Sequence, residues 1–285
     1  MTATKGKLYI VATPIGNLGD LTYRAVEVLG QVNLIAAEDT RLTRHLLRHY
    51  AIRSRLVSVH EHNEHRVLQS LIEEMLDGNS IALVSDAGTP LINDPGFELV
   101  KAALEKGLSV VPIPGANALI AALSVSGLAT DRFSFYGFPP RHHASRKALF
   151  ESLIAQSGTL VFYESCHRII DCVIDCAEIF PAERKLVIAR ELTKSHETIV
   201  RTRIGEAIPL LKEDLNIQKG ELVLLIEGAT AKSKEEILSR EHVRMIEILL
   251  EECSVRKTAE LVARITGLRR KLLYSAALEI EKNRS

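Results

Sequence analysis

The chain has 285 residues, 46% of them hydrophobic and 25% charged, with 36 Lys and Arg balanced by 36 Asp and Glu. This length supports one or two domains with a substantial core. A net charge of zero gives no bulk attraction to nucleic acid. No apolar run approaches the ~20 residues of a membrane-spanning helix. The polar start, Met1 to Lys7, leads straight into a strand-like run, so a cytoplasmic location without a signal segment is expected.

In chain order, short apolar runs alternate with helical periodicity. Leu8–Ala12 reads as a strand, Thr13–Asp20 as a loop, and the residues through Leu29 as a helix. Leu34–Ala37 ends in Glu38-Asp39-Thr40-Arg41 before a helix carrying Leu42, Leu46 and Leu47. Leu56–Val59 is followed by the histidine-rich His60–His65 and a helix through Leu76. The run Ile81–Val84 then breaks into Ser85-Asp86-Ala87-Gly88-Thr89-Pro90, a buried strand meeting a loop of small and polar residues. A helix over Phe97–Lys106 and a strand over Val110–Ile113 lead into Pro114-Gly115-Ala116-Asn117-Ala118 and another helix. This alternation predicts a mostly parallel sheet covered on both faces. Ligands of such sheets sit beyond the carboxyl ends of the strands, where these polar loops fall.

Between Gly127 and Arg132 the pattern pauses, and residues 1–128 are expected to form one α/β domain. Residues 129–229 are expected to form a second, with strands at Phe133–Gly137, Thr159–Glu164, Lys185–Glu191, Thr198–Thr202 and Glu221–Glu227. Its helices are predicted over Ser145–Gln156, His167–Ile179 and Ile208–Glu213. Strands outnumber helices there, which favours a mixed sheet. After the polar run Thr230–Lys234, residues 234–285 show helical periodicity alone, with a Thr266-Gly267 break that suggests a helix-turn-helix.

Charge is unevenly spread. From Arg256 to Ser285 eight basic residues face three acidic ones. Further basic groups lie at Arg41, Arg44, Arg48, Arg53 and Arg55, and at Arg141, Arg146 and Lys147. Such groups attract phosphate or simply form solvated helix faces. Cys166, Cys172, Cys176 and Cys253 lack the paired spacing of a zinc site and read as reduced thiols. The histidine stretch has no H-E-x-x-H register, so no metal is expected. There is no G-x-G-x-x-G after a strand and no P-loop. With no Trp and few aromatics, a broad base-stacking surface is disfavoured.

Taken together, several long motifs resemble the tetrapyrrole methylase superfamily, and within it the ribosomal RNA small subunit methyltransferase I family. They are Leu8–Asp20, Ala37-Glu38-Asp39-Thr40-Arg41, Ser85–Pro90, Pro114–Ala118, Phe162-Tyr163-Glu164-Ser165 and Ala189–Lys194. The resemblance implies two α/β domains with a cofactor cleft between them, a small C-terminal helical region, and a homodimer. It implies an S-adenosylmethionine-dependent 2'-O-methyltransferase acting on a cytidine ribose of small-subunit (16S) ribosomal RNA, free or within the assembled 30S subunit. It places Ile15, Asp86, Gly88, Thr89, Gly115, Asn117 and Ala118 at the cofactor. Tyr163 and Leu192 would reach it from the second domain.

The Thr13–Asn17 loop is poorer in Gly than in the small-molecule enzymes, which favours the RNA branch. The competing readings are a methyltransferase for a small tetrapyrrole-like substrate and a ligand-sensing regulator that binds DNA through its last helices. Loss of the ribose hydroxyl proton needs an acceptor, and Asp39 is the candidate base or orienting group, against the alternative that it caps the next helix. Arg41, Arg44, Arg141, Arg269, Arg270 and Lys271 are candidate phosphate contacts.

Overall fold

The computed structural model describes residues 5–60, 63–214, 216–229, 238 and 240–284. The Thr230–Lys234 run and part of the His60–His65 stretch lie outside the described residues. The chain divides into two compact units, residues 1–125 with 189–198, and residues 126–188 with 199–285.

The first unit holds β1 (Lys7–Val11), α1 (Tyr23–Gln31), β2 (Leu34–Ala37), α2 (Thr40–His49) and β3 (Arg55–Ser58). It continues with α3 (Glu64–Leu76), β4 (Ile81–Val84), α4 (Phe97–Glu105), β5 (Ser109–Ile113) and α5 (Ala118–Ser126). Its sheet runs β3-β2-β4-β1-β5, and every pairing is parallel. The strands are apolar at consecutive positions because both faces are covered. Ile35, Ala37, Ala82 and Val84 pack with Ala25, Leu29, Leu46 and Leu47 on one side. Leu34, Ala36, Ile81 and Leu83 pack with Leu71, Met75, Leu99 and Ala103 on the other. Parallel pairing aligns the carboxyl ends of these strands, so the loops after Val11, Ala37, Val84 and Ile113 emerge at one edge.

In the second unit, β6 (Phe133–Phe135), α6 (His143–Leu153), β7 (Thr159–Ser165), α7 (Ile169–Ile179) and β8 (Lys185–Arg190) precede β9 (Thr198–Arg203), α8 (Ile204–Glu213) and β10 (Glu221–Ile226). The sheet order is β6-β7-β10-β8-β9, parallel at β6–β7 and antiparallel at β7–β10, the mixed sheet expected. Phe150, Phe162, Ile169, Cys172, Val173, Cys176 and Leu224 share its core. The four cysteines are free, and a hydrogen bond with Cys176, together with burial, pushes the Cys172 thiol up.

Helix α8 begins four residues earlier than predicted. Pro209 sits inside it, and the first turn is held from outside, with Ile204 N donating to Arg184 O at 3.0 Å and Gly205 N to Ala182 O at 3.0 Å.

The C-terminal helices α9 (Arg240–Leu249), α10 (Val255–Thr266) and α11 (Arg270–Arg284) enclose a small core of Ile246, Ala259, Val262, Leu273 and Ala277. Gly267, at φ 75°, ends α10 in the left-handed conformation that glycine adopts without strain. Among the described residues, no helix is long and apolar enough to cross a membrane.

Candidate active site

Three loops at the carboxyl edge of the first sheet are tied together by backbone and hydroxyl bonds. Thr13 N donates to Gly88 O at 2.8 Å, and Gly88 N donates back to Thr13 O at 3.0 Å. Thr13 Oγ1 reaches Ser85 O at 3.2 Å, and Thr89 Oγ1 reaches Ala116 O at 3.2 Å. Gly88 has φ 85°, a conformation that would strain any residue with a side chain. A Cβ on Gly115 would lie 2.9 Å from the Ala12 Cβ, so only glycine lets the loop after β5 approach the loop after β1.

Thr89, Gly115 and Asn117 line an open, mainly apolar cavity of about 600 Å³, with Ile92, Pro114, Leu119 and Ile120. Ile15 is buried beside Gly88, Asp86 is exposed at the edge, and Ala118 opens α5. Asn117 Oδ1 accepts from Ile120 N at 3.3 Å, capping that helix.

The second strand contributes charge. Asp39 N donates to Asp86 Oδ1 at 2.9 Å, and Asp86 N donates to Glu38 Oε2 at 3.3 Å. The Asp39 carboxylate caps α2, accepting from Arg41 N at 2.7 Å and from the Arg41 guanidinium at 2.8 Å. The Arg41 hydrogen bonds hold its pKa down to about 2. Such a carboxylate is a weak proton acceptor, and the helix-capping role is the one this geometry supports.

Sequence reasoning passed over Asp94, four residues beyond Pro90. Burial pushes its carboxyl up; a hydrogen bond with Ser85 opposes this, and the Asp86 charge adds to the rise. Around it Leu91 and Asn93 take φ of 72° and 68°, left-handed values that are rare outside glycine. The Asn-Asp-Pro-Gly sequence was the available signal, since such clusters build tight turns.

Leu192 was expected from the second domain, but residues 189–198 group with the first unit. There the segment meets the first loop: a Cβ on Gly16 would lie 2.4 Å from Lys194 Cγ. Its turn is set by Glu191 and Thr193 at φ 50° and 66°, with Thr193 N donating to Glu197 Oε2 at 2.6 Å. The buried Leu192 sits between them.

Tyr163 stands on β7 in the second unit, edge-on to Phe135 at 4.8 Å and Phe138 at 5.8 Å between ring centroids. Of the basic groups read from sequence, Arg146 is only 3% exposed and pairs internally with Asp175, while Lys147 pairs with Glu178 at 2.5 Å. Arg146 is therefore not a phosphate contact, its charge being committed within the fold, whereas the Lys147 pair lies at the surface. Arg41, Arg44, Arg141, Arg269, Arg270 and Lys271 are exposed, Arg41 being bonded to Asp39.

These residues suit S-adenosylmethionine. The cavity is apolar with a few convergent polar groups, as small-molecule sites are, and its wall approaches the first loop closely only because Gly115 lacks a side chain. Among the described residues no group of three potential metal ligands occurs.

Residues 7–208 match the family described as Tetrapyrrole (Corrin/Porphyrin) Methylases, and residues 236–281 match the RsmI C-terminal HTH domain. The chain is 48% identical to Ribosomal RNA small subunit methyltransferase I of Escherichia coli O157:H7, over 97% of this chain and 96% of that one. The chain belongs to the ribosomal RNA small subunit methyltransferase I family. Other relatives of that name are 47% identical in Haemophilus influenzae, covering 98% of both chains, and 46% identical in Synechocystis, covering 97% of this chain and 99% of that one.

Among solved structures, the methyltransferase CobJ superposes with a TM-score of 0.59 at 17% identity, covering 79% of this chain and 95% of that one. Uroporphyrin-III C-methyl transferase from Thermus thermophilus complexed with S-adenyl homocysteine gives 0.53 at 18% identity, covering 78% and 97%. These likenesses extend over the two α/β units of the family fold.

Proposed function

We propose that this chain transfers methyl groups from S-adenosylmethionine to a cytidine ribose 2'-hydroxyl of small-subunit (16S) ribosomal RNA, working in the cytoplasm as a homodimer. The observation that carries this reading is the near full-length similarity, at 45–48% identity, to proteins named for small-subunit ribosomal RNA methylation. The appended helices, which match the family's own helix-turn-helix, favour RNA over a small tetrapyrrole-like substrate. For the homodimer, support comes from α5, a strongly apolar helix that leaves Val125 exposed outside the cavity lining.

Bound S-adenosylmethionine supplies a methyl group on a positively charged sulfur. The chain's own part is to align the acceptor with it and to exclude water. Asp86, Gly88 and Thr89, with Ile15, Gly115, Asn117 and Ala118, hold the methionine side in this reading, and Tyr163 and Leu192 the adenosine. The hydroxyl must lose a proton as its oxygen attacks, and the acceptor works best when its basicity is raised. Asp94, bonded to Ser85 where β4 meets the candidate loop and pushed up by burial, is the better candidate for the proton, and Asp39 orients the loop through its N–H bond to Asp86.

The test is methyl transfer from labelled S-adenosylmethionine to free 16S ribosomal RNA and to 30S subunits, followed by nucleoside analysis. A 2'-O-methylcytidine product is expected; label on a base, or none on either RNA form, overturns the reading.

A further inference from the structure

The loop between β6 and α6 is clamped from inside at three consecutive carbonyls. Arg168 Nη2 donates to Pro139 O at 3.1 Å, and Arg146 Nη1 donates to Pro140 O at 3.3 Å and Arg141 O at 3.2 Å. Each guanidinium is itself fixed by a buried carboxylate. Arg146 Nε meets Asp175 at 2.5 Å, and Arg168 meets Glu164 at 2.7 Å. At the other end of the loop, Tyr163 N donates to Gly137 O at 2.9 Å, and Gly137 turns the chain at φ 63°. His143 Nδ1 closes the set, 2.5 Å from the second oxygen of Asp175. Burying two charges carries a large desolvation cost. Here the buried Arg146 and the half-buried Arg168 fix the shape of a surface loop.

The side chains this loop presents are outward. Phe138 is 50% exposed, and Arg141, His142 and His143 are all exposed. Register places Phe135 opposite Val161, on the same sheet face as Tyr163 and opposite to the core residue Phe162. Phe138 stacks edge-on to Tyr163, and Phe133 on the same strand face is 41% exposed. Four of the chain's thirteen Phe and Tyr residues, Phe133, Phe135, Phe138 and Tyr163, are therefore gathered at one place.

Resting on the RNA reading above, we propose that Phe138 and Arg141 form a preformed seat for one unpaired nucleotide of the RNA, the ring stacking on its base and the guanidinium pairing with its phosphate. Three residues span at most roughly 10 Å, the scale of a single nucleotide. Stacking accepts any base, and a planar guanidinium suits a phosphate. Phe138 also lies edge-on to Tyr163, the second unit's candidate cofactor contact in that reading. The fixed carbonyls spare the loop an ordering cost on binding.

The experiment measures anisotropy of a fluorescein-labelled, unstructured cytidine-uridine oligoribonucleotide with the full-length protein. Phe138→Ala should weaken binding by roughly five-fold or more, while Phe138→Tyr keeps it. Arg141→Ala should weaken it and lower the salt slope by about one, and Arg141→Lys should restore the slope. In steady state with 30S subunits, both alanine variants should raise KM. Equal oligonucleotide affinity in Phe138→Ala and the parent overturns the seat, as does a loss matched by lost cofactor affinity or a changed oligomeric size. If the parent methylates no small-subunit RNA while the Phe138 effect on the oligonucleotide persists, the seat stands and the substrate reading falls. If the parent methylates 30S subunits and both alanine variants do so with unchanged KM, the seat falls alone.

Discussion

Asp39 and Arg41 are two residues apart, and the carboxylate of the first accepts both the backbone N–H of the second, at 2.7 Å, and its guanidinium, at 2.8 Å. One side chain thus starts α2 and neutralises an arginine at the edge of the candidate site.

The lowered pKa of Asp39, about 2 against an ordinary 3.8, contributes stability that is complete above 3.8 and lost as pH falls through 2. Asparagine still caps a helix but carries no charge. Asp39→Asn should therefore be less stable than the parent at neutral pH, with the gap closing as pH falls toward 2. Urea midpoints measured across that range check the prediction; a gap independent of pH would assign the effect to something other than this ionisation.

Asp94 behaves in the opposite sense. Its carboxyl is pushed up by burial, so it favours the fold below the ordinary value and costs stability as pH rises through its folded value. Asp94→Asn should match or exceed the parent's stability at pH 7 while kcat falls by roughly 10²-fold or more. The acid limb of the pH profile for kcat should disappear with it. A variant with normal kcat would remove Asp94 from the proton path.

At Gly115, alanine would place a methyl 2.9 Å from the Ala12 Cβ, and alanine has no rotamer with which to yield. Gly115→Ala should cost about 1–3 kcal/mol by overpacking. It should also weaken S-adenosylmethionine, measured by calorimetry, because the residue lines the cavity.

Removing Arg146 leaves the 1%-exposed Asp175 without its guanidinium partner. Arg146→Ala should cost about 3–5 kcal/mol in urea unfolding. Arg146→Lys should recover only part of this, since an ammonium cannot fork to a carboxylate and two carbonyls together.

Much of the first unit was legible because both faces of its sheet are covered, which writes each strand as an unbroken apolar run. The loops of the candidate site stood out for the same reason, as polar residues at the ends of those runs. What stayed hidden depended on contacts distant in sequence. The segment that carries Leu192 follows β8 in the chain, yet its Thr193 and Lys194 lie against Gly16, a pairing no local pattern encodes. Arg146 reads as one more surface cation in a basic helix turn, and only the fold brings it to Asp175, 29 residues away. The α8 start was masked by Pro209, whose helix-breaking signal was overruled by bonds from the Ala182–Arg184 turn.

The placement of residues 189–198 within the first unit has a consequence for biosynthesis. A nascent chain that has emerged through α5 carries every strand of the first sheet but not the strap that covers Gly16. The whole of residues 126–188 must be translated before that strap arrives. The first unit is therefore finished late, after much of its neighbour has been made, and a fragment ending at Val125 would lack a wall that the complete chain supplies.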